Sequence, residues 1–233
     1  MPPLHVIMPV KDSLDTAIPA LEALSHCPDI VLTVYDDFSS AENSATLDSL
    51  ALSLGFRLVH WAGRTTHPSP NYRLTLQDAQ RQALQSGSHL VIVESDVTVM
   101  PDTLQRMASQ VRSGVGMVAA VTVDENGEVN FPYLYAQHMK GGTVSTRKRL
   151  SFCCTLLSNE LLKAYSFELL DPEKQWYDVS ISHRSLQLGL TNLLMLDNAV
   201  VHRPHSSRPW KRLKYTNPLL YYWQKLTRKR DRI

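Results

Sequence analysis

Val91-Ile92-Val93-Glu94-Ser95-Asp96-Val97-Thr98-Val99-Met100-Pro101 places three apolar β-branched residues ahead of two carboxylates with one residue between them. A short Val/Ile run of this kind reads as a strand buried on both faces, as in the parallel sheets of α/β proteins. Carboxylates are expensive to bring into such surroundings without a partner, so their presence at the strand end points to a task. Side chains alternate along an extended segment, so Glu94 and Asp96 are expected to point to the same side at the strand's carboxyl end. Ligands of α/β sheets bind beyond the carboxyl ends of the strands. Two acids converging there suit a hard divalent cation and the diphosphate it carries.

Outward from this strand the chain alternates apolar strands with helical patterns, the signature of βαβ units. Strands are expected at Leu4 to Val10, Ile30 to Tyr35, Phe56 to His60 and His89 to Val93. Helices are expected at Leu14 to Leu24, Ala41 to Leu54, Arg73 to Gln85 and from Pro101 to about Ser113, with Gly63 to Asn71 as a loop. After Gly116 the pattern becomes irregular. Met117 to Val123 and Glu128 to Phe131 read as strands about the turn Asp124-Glu125-Asn126-Gly127, and Gly141-Gly142 with Arg147-Lys148-Arg149 reads as a mobile loop. Helical patterns return at Ser158 to Tyr165 and Asp178 to Leu188. The expected organisation is one domain over residues 1–233: a nucleotide-fold-like half over 1–100, a second half over 101–215 and a basic tail over 216–233.

With 233 residues and 43% hydrophobic composition the chain can bury a substantial core. The three cysteines, Cys27, Cys153 and Cys154, lack metal-ligand spacing, and their odd number argues against a disulfide framework. Cys153 and Cys154 read as packing residues, with no basic neighbour in their segment to lower a thiol pKa. No apolar run reaches the length of a membrane span, and the first strand begins at Leu4 without a leader, so a cytoplasmic protein is expected. The net charge of +2 hides an asymmetry: ten of the 24 Lys and Arg lie between Arg203 and Arg232 with Asp231 as the only acid, leaving that stretch at +9 and the rest at −7. An acidic partner for the tail follows, whether membrane, nucleic acid or phosphorylated substrate.

The first strand ends in Met8-Pro9-Val10-Lys11-Asp12 and the second in Val34-Tyr35-Asp36-Asp37-Phe38-Ser39-Ser40, which gathers further acids at the edge occupied by Glu94 and Asp96. Taken alone, Asp36-Asp37 before Ser39-Ser40 is more often a turn with a helix cap than a binding site. With these motifs in hand, the chain resembles the family 2 glycosyltransferases of the GT-A fold. "VIMPVKDS", "VYDDFSS", "VIVESDVTVMP" and "WYDVSISHRSLQLGL" follow one another at family-like spacing along nearly the whole chain.

The resemblance implies a Rossmann-like, mostly parallel central sheet flanked by helices, with an irregular acceptor-binding portion toward the C-terminus. It implies that Pro9 and Val10 line a base pocket, that Asp37 hydrogen-bonds the base, and that Glu94 and Ser95 contact the nucleotide, with Arg73 as a further base or phosphate contact or simply a solvated helix residue. Asp96 matches the metal-binding acid of the DxD motif, here written Glu94-Ser95-Asp96. His202 resembles a late histidine that completes the site for Mn²⁺ or Mg²⁺, with His205 as its competitor and an ordinary histidine as the plain alternative. Asp178 opens a helix as the second acid of the ED motif does, with Tyr177 in place of the first, and is the candidate catalytic base; N-capping explains its position equally. Trp176 would stack on a sugar or simply pack.

The implied activity is a non-processive, inverting transfer of one sugar in glycan or cell-surface polysaccharide biosynthesis, since the Gln-x-x-Arg-Trp pattern is absent. The donor would be a UDP-, GDP- or dTDP-sugar, and the acceptor a glycan, lipid-linked or protein hydroxyl. Pro218 to Arg230, aromatic and basic, reads as an interfacial helix on anionic lipid or as a packed terminal helix. Three alternatives stand beside this. A sugar nucleotidyltransferase would show a Gly-rich loop after the first strand, where Pro9-Val10-Lys11-Asp12 has no glycine. A transferase-like binding protein without catalysis is motivated by Glu94 and Tyr177. A nucleic-acid module is not expected, because the tail has no recognised RNA or DNA fold around it.

Overall fold

The structure is a computed structural model that describes residues 3–173, 176–203 and 217–227. The chain forms two compact units, Met1–Arg203 and Pro204–Ile233. In the second, the helix Pro218–Thr227 carries Leu219, Leu220, Tyr221, Tyr222 and Trp223, with the Tyr221 and Tyr222 rings 5.3 Å apart edge to face. His205 and most of the basic tail lie outside the described residues.

The first unit is built on a sheet of strands β1 (Leu4–Val10), β2 (Ile30–Asp36), β3 (Arg57–His60), β4 (Leu90–Val93), β5 (Val97–Thr98), β6 (Val115–Val123), β7 (Thr143–Ser145), β8 (Cys154–Leu157) and β9 (Thr191–His202). Their order is β3-β2-β1-β4-β8-β6-β9-β5, with β7 also on β9. From β3 to β4 the pairing is parallel, as expected. β8 then enters antiparallel to both β4 and β6, and β6 and β9 run parallel beyond it. The sheet therefore crosses the expected seam near Met100 without a break.

Helices α1 (Leu14–Ser25), α2 (Ala41–Leu54) and α4 (Thr103–Ser109) are packed with one core cluster; α3 (Tyr72–Ser86), α5 (Asn159–Ala164) and α6 (Tyr177–Gln187) are packed with the other. The two-residue alternation of the strands divides the core between these clusters: Val6, Met8 and Val10 of β1 and Val91 and Val93 of β4 join Leu21, Leu24 and Leu104, whereas Ile7, Leu90 and Ile92 join Leu76, Ala79 and Ile181. Helix ends follow local chemistry. Ser40 Oγ accepts from Asn43 N at 3.3 Å to start α2, and Gly55, at φ 73°, ends it in a left-handed turn that a Cβ would disfavour.

Three expectations change, and one strand is added. The helix after Pro101 stops at Ser109 rather than Ser113. Glu128 to Phe131 is not a strand; only an isolated bridge joins Val129 to Val123, because the turn at Asp124 to Gly127 sends the chain off to the rim. The Gly141-Gly142 loop contains β7, which pairs antiparallel with β9 from Thr143 to Ser145. The added strand is β8, Cys154–Leu157, an interior strand whose partners lie some sixty and forty residues away, beyond the reach of local pattern.

Candidate active site at the carboxyl edge of the sheet

β4 stops at Val93, and the next residues form a turn closed by Val97 N donating to Glu94 O at 3.0 Å. Strand alternation therefore does not extend to Asp96, and the two carboxylates face different neighbours. Glu94 turns toward β8, where Cys153 Sγ donates to its Oε2 at 3.6 Å. Asp96 turns toward β9, where its Oδ2 lies 3.5 Å from His202 Nε2. Its backbone oxygen accepts from Arg203 N at 2.8 Å, which fixes the turn against the end of β9. Ser95 is half-buried between them.

The other ring nitrogen of His202, Nδ1, lies 2.7 Å from Phe131 O. A carbonyl only accepts, so Nδ1 carries a proton and donates. That leaves Nε2 of the neutral ring presenting a lone pair to a carboxylate oxygen, an arrangement that requires a cation between them, either a proton or a metal. Burial opposes protonation of His202, yet the bond to Asp96, with Phe131 O and the nearby Glu94 charge, holds its pKa above the ordinary histidine value. A carboxylate and an imidazole whose far nitrogen is locked by a backbone carbonyl are also groups that could hold a metal ion. Among the described residues no three His, Cys, Asp or Glu side chains converge as a metal site. Burial, then the charges of Asp96 and Asp178, push the Glu94 carboxyl up to about 7, against the pull of His202 and Cys153. A cation bound at Asp96 would draw it down again.

Asp178 is the second residue of α6 and lies close enough to Glu94 for that repulsion to register. Its Oδ2 accepts from Arg149 at 2.8 Å and its Oδ1 from Val179 N at 2.8 Å, so a guanidinium and a first-turn amide of the helix each engage one carboxylate oxygen. α6 is seated by a buried polar chain: Ser182 Oγ accepts from Leu150 N at 3.0 Å, Ser185 Oγ donates to Asn192 Oδ1 at 2.7 Å, and Asn192 Nδ2 donates to Ser182 O at 3.0 Å. Gly116 of β6 permits the close approach, because a Cβ there would collide with Ser185 Oγ. Tyr177 packs in the core with its hydroxyl donating to Asp171 O at 3.3 Å.

The other expected residues divide. Pro9 is half-buried at the strand end. The Val10 side chain belongs to the core, and its carbonyl already accepts from Asp37 N at 2.8 Å, so it does not line an open pocket. Asp37 is engaged within the protein: Ser69 Oγ donates to its Oδ2 at 2.6 Å, Asn71 N to Oδ2 at 2.9 Å and Asn71 Nδ2 to Oδ1 at 2.7 Å. In this arrangement it holds the Ser69–Asn71 bend against the end of β2. Arg73 lies in the first turn of α3, where its charge opposes the burial-driven rise in the pKa of Tyr177. Sequence reasoning passed over Arg149, whose run of cations looks like a solvated surface, and Cys153, whose role depends on β8 lying beside β4. Its thiol stays protonated, pushed well up by burial and by Glu94.

Comparison with solved structures decides the architecture. The chain superposes on the mannosyltransferase PcManGT of Pyrobaculum calidifontis, solved with GDP-Man and Mn²⁺, with a TM-score of 0.66 at 18% identity over 97% of this chain and 64% of that one. It matches S. aureus TarS 1-349 with a TM-score of 0.66 at 16% identity over 91% of this chain and 64% of that one.

The fold is GT-A.

A third match, GalNAc-T7 solved with UDP, GalNAc and Mn²⁺, has a TM-score of 0.61 at 12% identity over 86% of this chain and 43% of that one. The chain spans less than two thirds of the length of these proteins. No family model matches the chain, and no curated protein matches it in sequence.

Proposed function

We propose that this GT-A chain is a glycosyltransferase that moves one sugar from a nucleoside diphosphate sugar to an acceptor hydroxyl. The observation that carries the reading is the Asp96–His202 pair, a carboxylate oxygen and an imidazole nitrogen 3.5 Å apart, beside Glu94 and Asp178 at one edge of the sheet. Support comes from GT-A neighbours solved with GDP-Man or UDP and Mn²⁺.

In this reading Asp96 and His202 hold Mn²⁺ or Mg²⁺, the imidazole favouring Mn²⁺. The bound cation would neutralise charge on the departing diphosphate. Asp178 keeps its carboxylate form beside Arg149 and takes the proton of the acceptor hydroxyl as that oxygen attacks the anomeric carbon opposite the diphosphate, inverting its configuration. Arg149 orients Asp178, and Asp37 shapes the base pocket through the Ser69–Asn71 bend rather than through a free carboxylate. Glu94 and Ser95 lie on the nucleotide side of the metal pair. The location is the cytoplasm, where the basic tail of the second unit would meet anionic lipid; no described helix is long and apolar enough to cross a membrane.

Thermal unfolding with UDP, GDP and dTDP, with and without Mn²⁺, tests this reading. A nucleotide at a hundred times its Kd stabilises by about 2.7 kcal/mol, a rise of roughly 5–10 °C for a unit of this size. One of the three is expected to give that rise only with the metal. No rise with any of them would overturn the proposal.

A further inference from the structure

The rim beside Asp178 has a composition that neither the metal pair nor the base requires. From Phe131 to Leu150 there is no acidic residue, whereas Lys140, Arg147, Lys148 and Arg149 supply four cations. Arg149 is committed to Asp178. Lys140, Arg147 and Lys148 are exposed and form no ion pair with another described residue. Within nine residues of the same segment Phe131, Leu134 and Met139 leave 38%, 42% and 42% of their surface in water. Single exposed apolar residues are ordinary, but three large ones followed in the same segment by three cations without an ion pair among the described residues are the composition of an interfacial surface.

The segment is firmly attached to the site. At its start Phe131 O receives His202 Nδ1 at 2.7 Å, and at its end Arg149 holds Asp178 at 2.8 Å. Between them β7 pairs with β9, Thr146 N donates to Asn192 O at 2.9 Å, and Leu196 N donates to Gly142 O at 2.8 Å. Lys148 Nζ lies 3.8 Å from the centroid of the Tyr135 ring, which brings a cation onto the turn that bears Leu134. An acidic floor of Glu94, Asp96 and Asp178 is thus bordered by a basic and apolar rim.

We infer that the segment 131–149 docks on an anionic lipid surface, Phe131, Leu134 and Met139 entering the headgroup region and Lys140, Arg147 and Lys148 facing lipid phosphates. A soluble anion would be served by the cations alone; the exposed apolar side chains favour lipid. The contact belongs to the first unit and is separate from any made by the basic tail. It rests on the transferase reading only in its purpose, which is to bring a lipid-carried acceptor hydroxyl to Asp178.

The test is Met139→Cys in the full chain, labelled with an environment-sensitive NBD dye; Cys27, Cys153 and Cys154 are buried and should stay unlabelled. Phosphatidylglycerol vesicles should raise and blue-shift the emission, and pure phosphatidylcholine vesicles should not. Replacing Lys140, Arg147 and Lys148 by Ala in the labelled protein should weaken vesicle partitioning on the order of a hundredfold, from about fivefold per cation. Mn²⁺-dependent nucleotide binding should persist in that variant, so its loss throughout would count against the transferase reading and not against the docking surface. Unchanged emission on phosphatidylglycerol, even where the protein sediments with the vesicles through its tail, overturns the inference. An equal change with inorganic tripolyphosphate in place of vesicles also overturns it, assigning the rim to a soluble phosphate.

Discussion

Gly116→Ala tests how α6, and with it Asp178, is seated on the sheet. The added methyl would collide with Ser185 Oγ and stand 3.0 Å from Leu190 Cβ and 3.3 Å from Leu190 Cδ1. Ser185 is not free to swing aside, because its buried hydroxyl donates to Asn192 Oδ1 at 2.7 Å. Overpacking of this kind costs roughly 1–3 kcal/mol, a fall in Tm of about 2–12 °C for a unit of some 200 residues. Ser185→Ala alone removes the obstacle but takes the hydroxyl donor from a buried amide oxygen, at about 1–3 kcal/mol. In the double variant the methyl occupies the space the hydroxyl leaves, so the combined loss should fall short of the sum by about 1 kcal/mol or more. Thermal and urea unfolding of the four proteins followed by circular dichroism measures the cycle. In the single Gly116 variant turnover should fall more than nucleotide affinity, since α6 carries Asp178 whereas the proposed metal ligands His202 and Asp96 sit on β9 and the turn after β4. Losses that add within about 0.5 kcal/mol would refute the packing argument.

Asp37→Ala removes the acceptor of three hydrogen bonds from Ser69 and Asn71; it should cost roughly 2–4 kcal/mol by chemical denaturation, whereas Asp37→Asn should recover part of that. His202→Ala should depress Mn²⁺-supported turnover more than Mg²⁺-supported turnover, because the lost ligand is a nitrogen; equal losses in steady-state assays would remove His202 from the metal pair. Burial, aided by the Arg57 charge and opposed by Asp78, lowers the pKa of His5 from 6.5 to about 4. Its neutral form is therefore stable in the fold above pH 6.5, and about 3 kcal/mol should be lost as pH falls from 6.5 through 4, a slope that His5→Leu should flatten in unfolding curves. His60 acts in the opposite sense. Burial disfavours its charge, but Asp36 at 2.8 Å and Asp48 at 3.1 Å raise its pKa above 6.5. Its contribution is complete below pH 6.5 and is lost as pH rises through the raised value, so His60→Asn should destabilise more at pH 6 than at pH 9.

The first four parallel units were legible because each is a local pattern: apolar runs at β1, β2 and β4, a Ser40 cap ahead of α2, and glycines at the helix ends. β8 was not, since a four-residue strand from Cys154 to Leu157 is placed by partners far away in the chain. β5 and β7, of two and three residues, carry too little sequence to show a period. The site divides in the same way. The residue types at Asp96, Asp178 and His202 could be singled out from motif and spacing. Their relations could not, because the turn at Glu94 replaces strand alternation and because Asp37 is engaged by a loop more than thirty residues on. Arg149 gave no signal, since a cation in a basic run becomes distinctive only when the fold lays it against Asp178.

Calorimetric titration of UDP, GDP and dTDP into the wild-type protein, Asp96→Ala and Asp178→Ala, each with Mn²⁺ and with chelator, tests the central claim most directly. The account predicts that one nucleotide binds the wild type only with Mn²⁺, that Asp96→Ala abolishes this binding, and that Asp178→Ala retains it while losing sugar transfer. Nucleotide binding that persists in Asp96→Ala, or turnover that persists in Asp178→Ala, would contradict it.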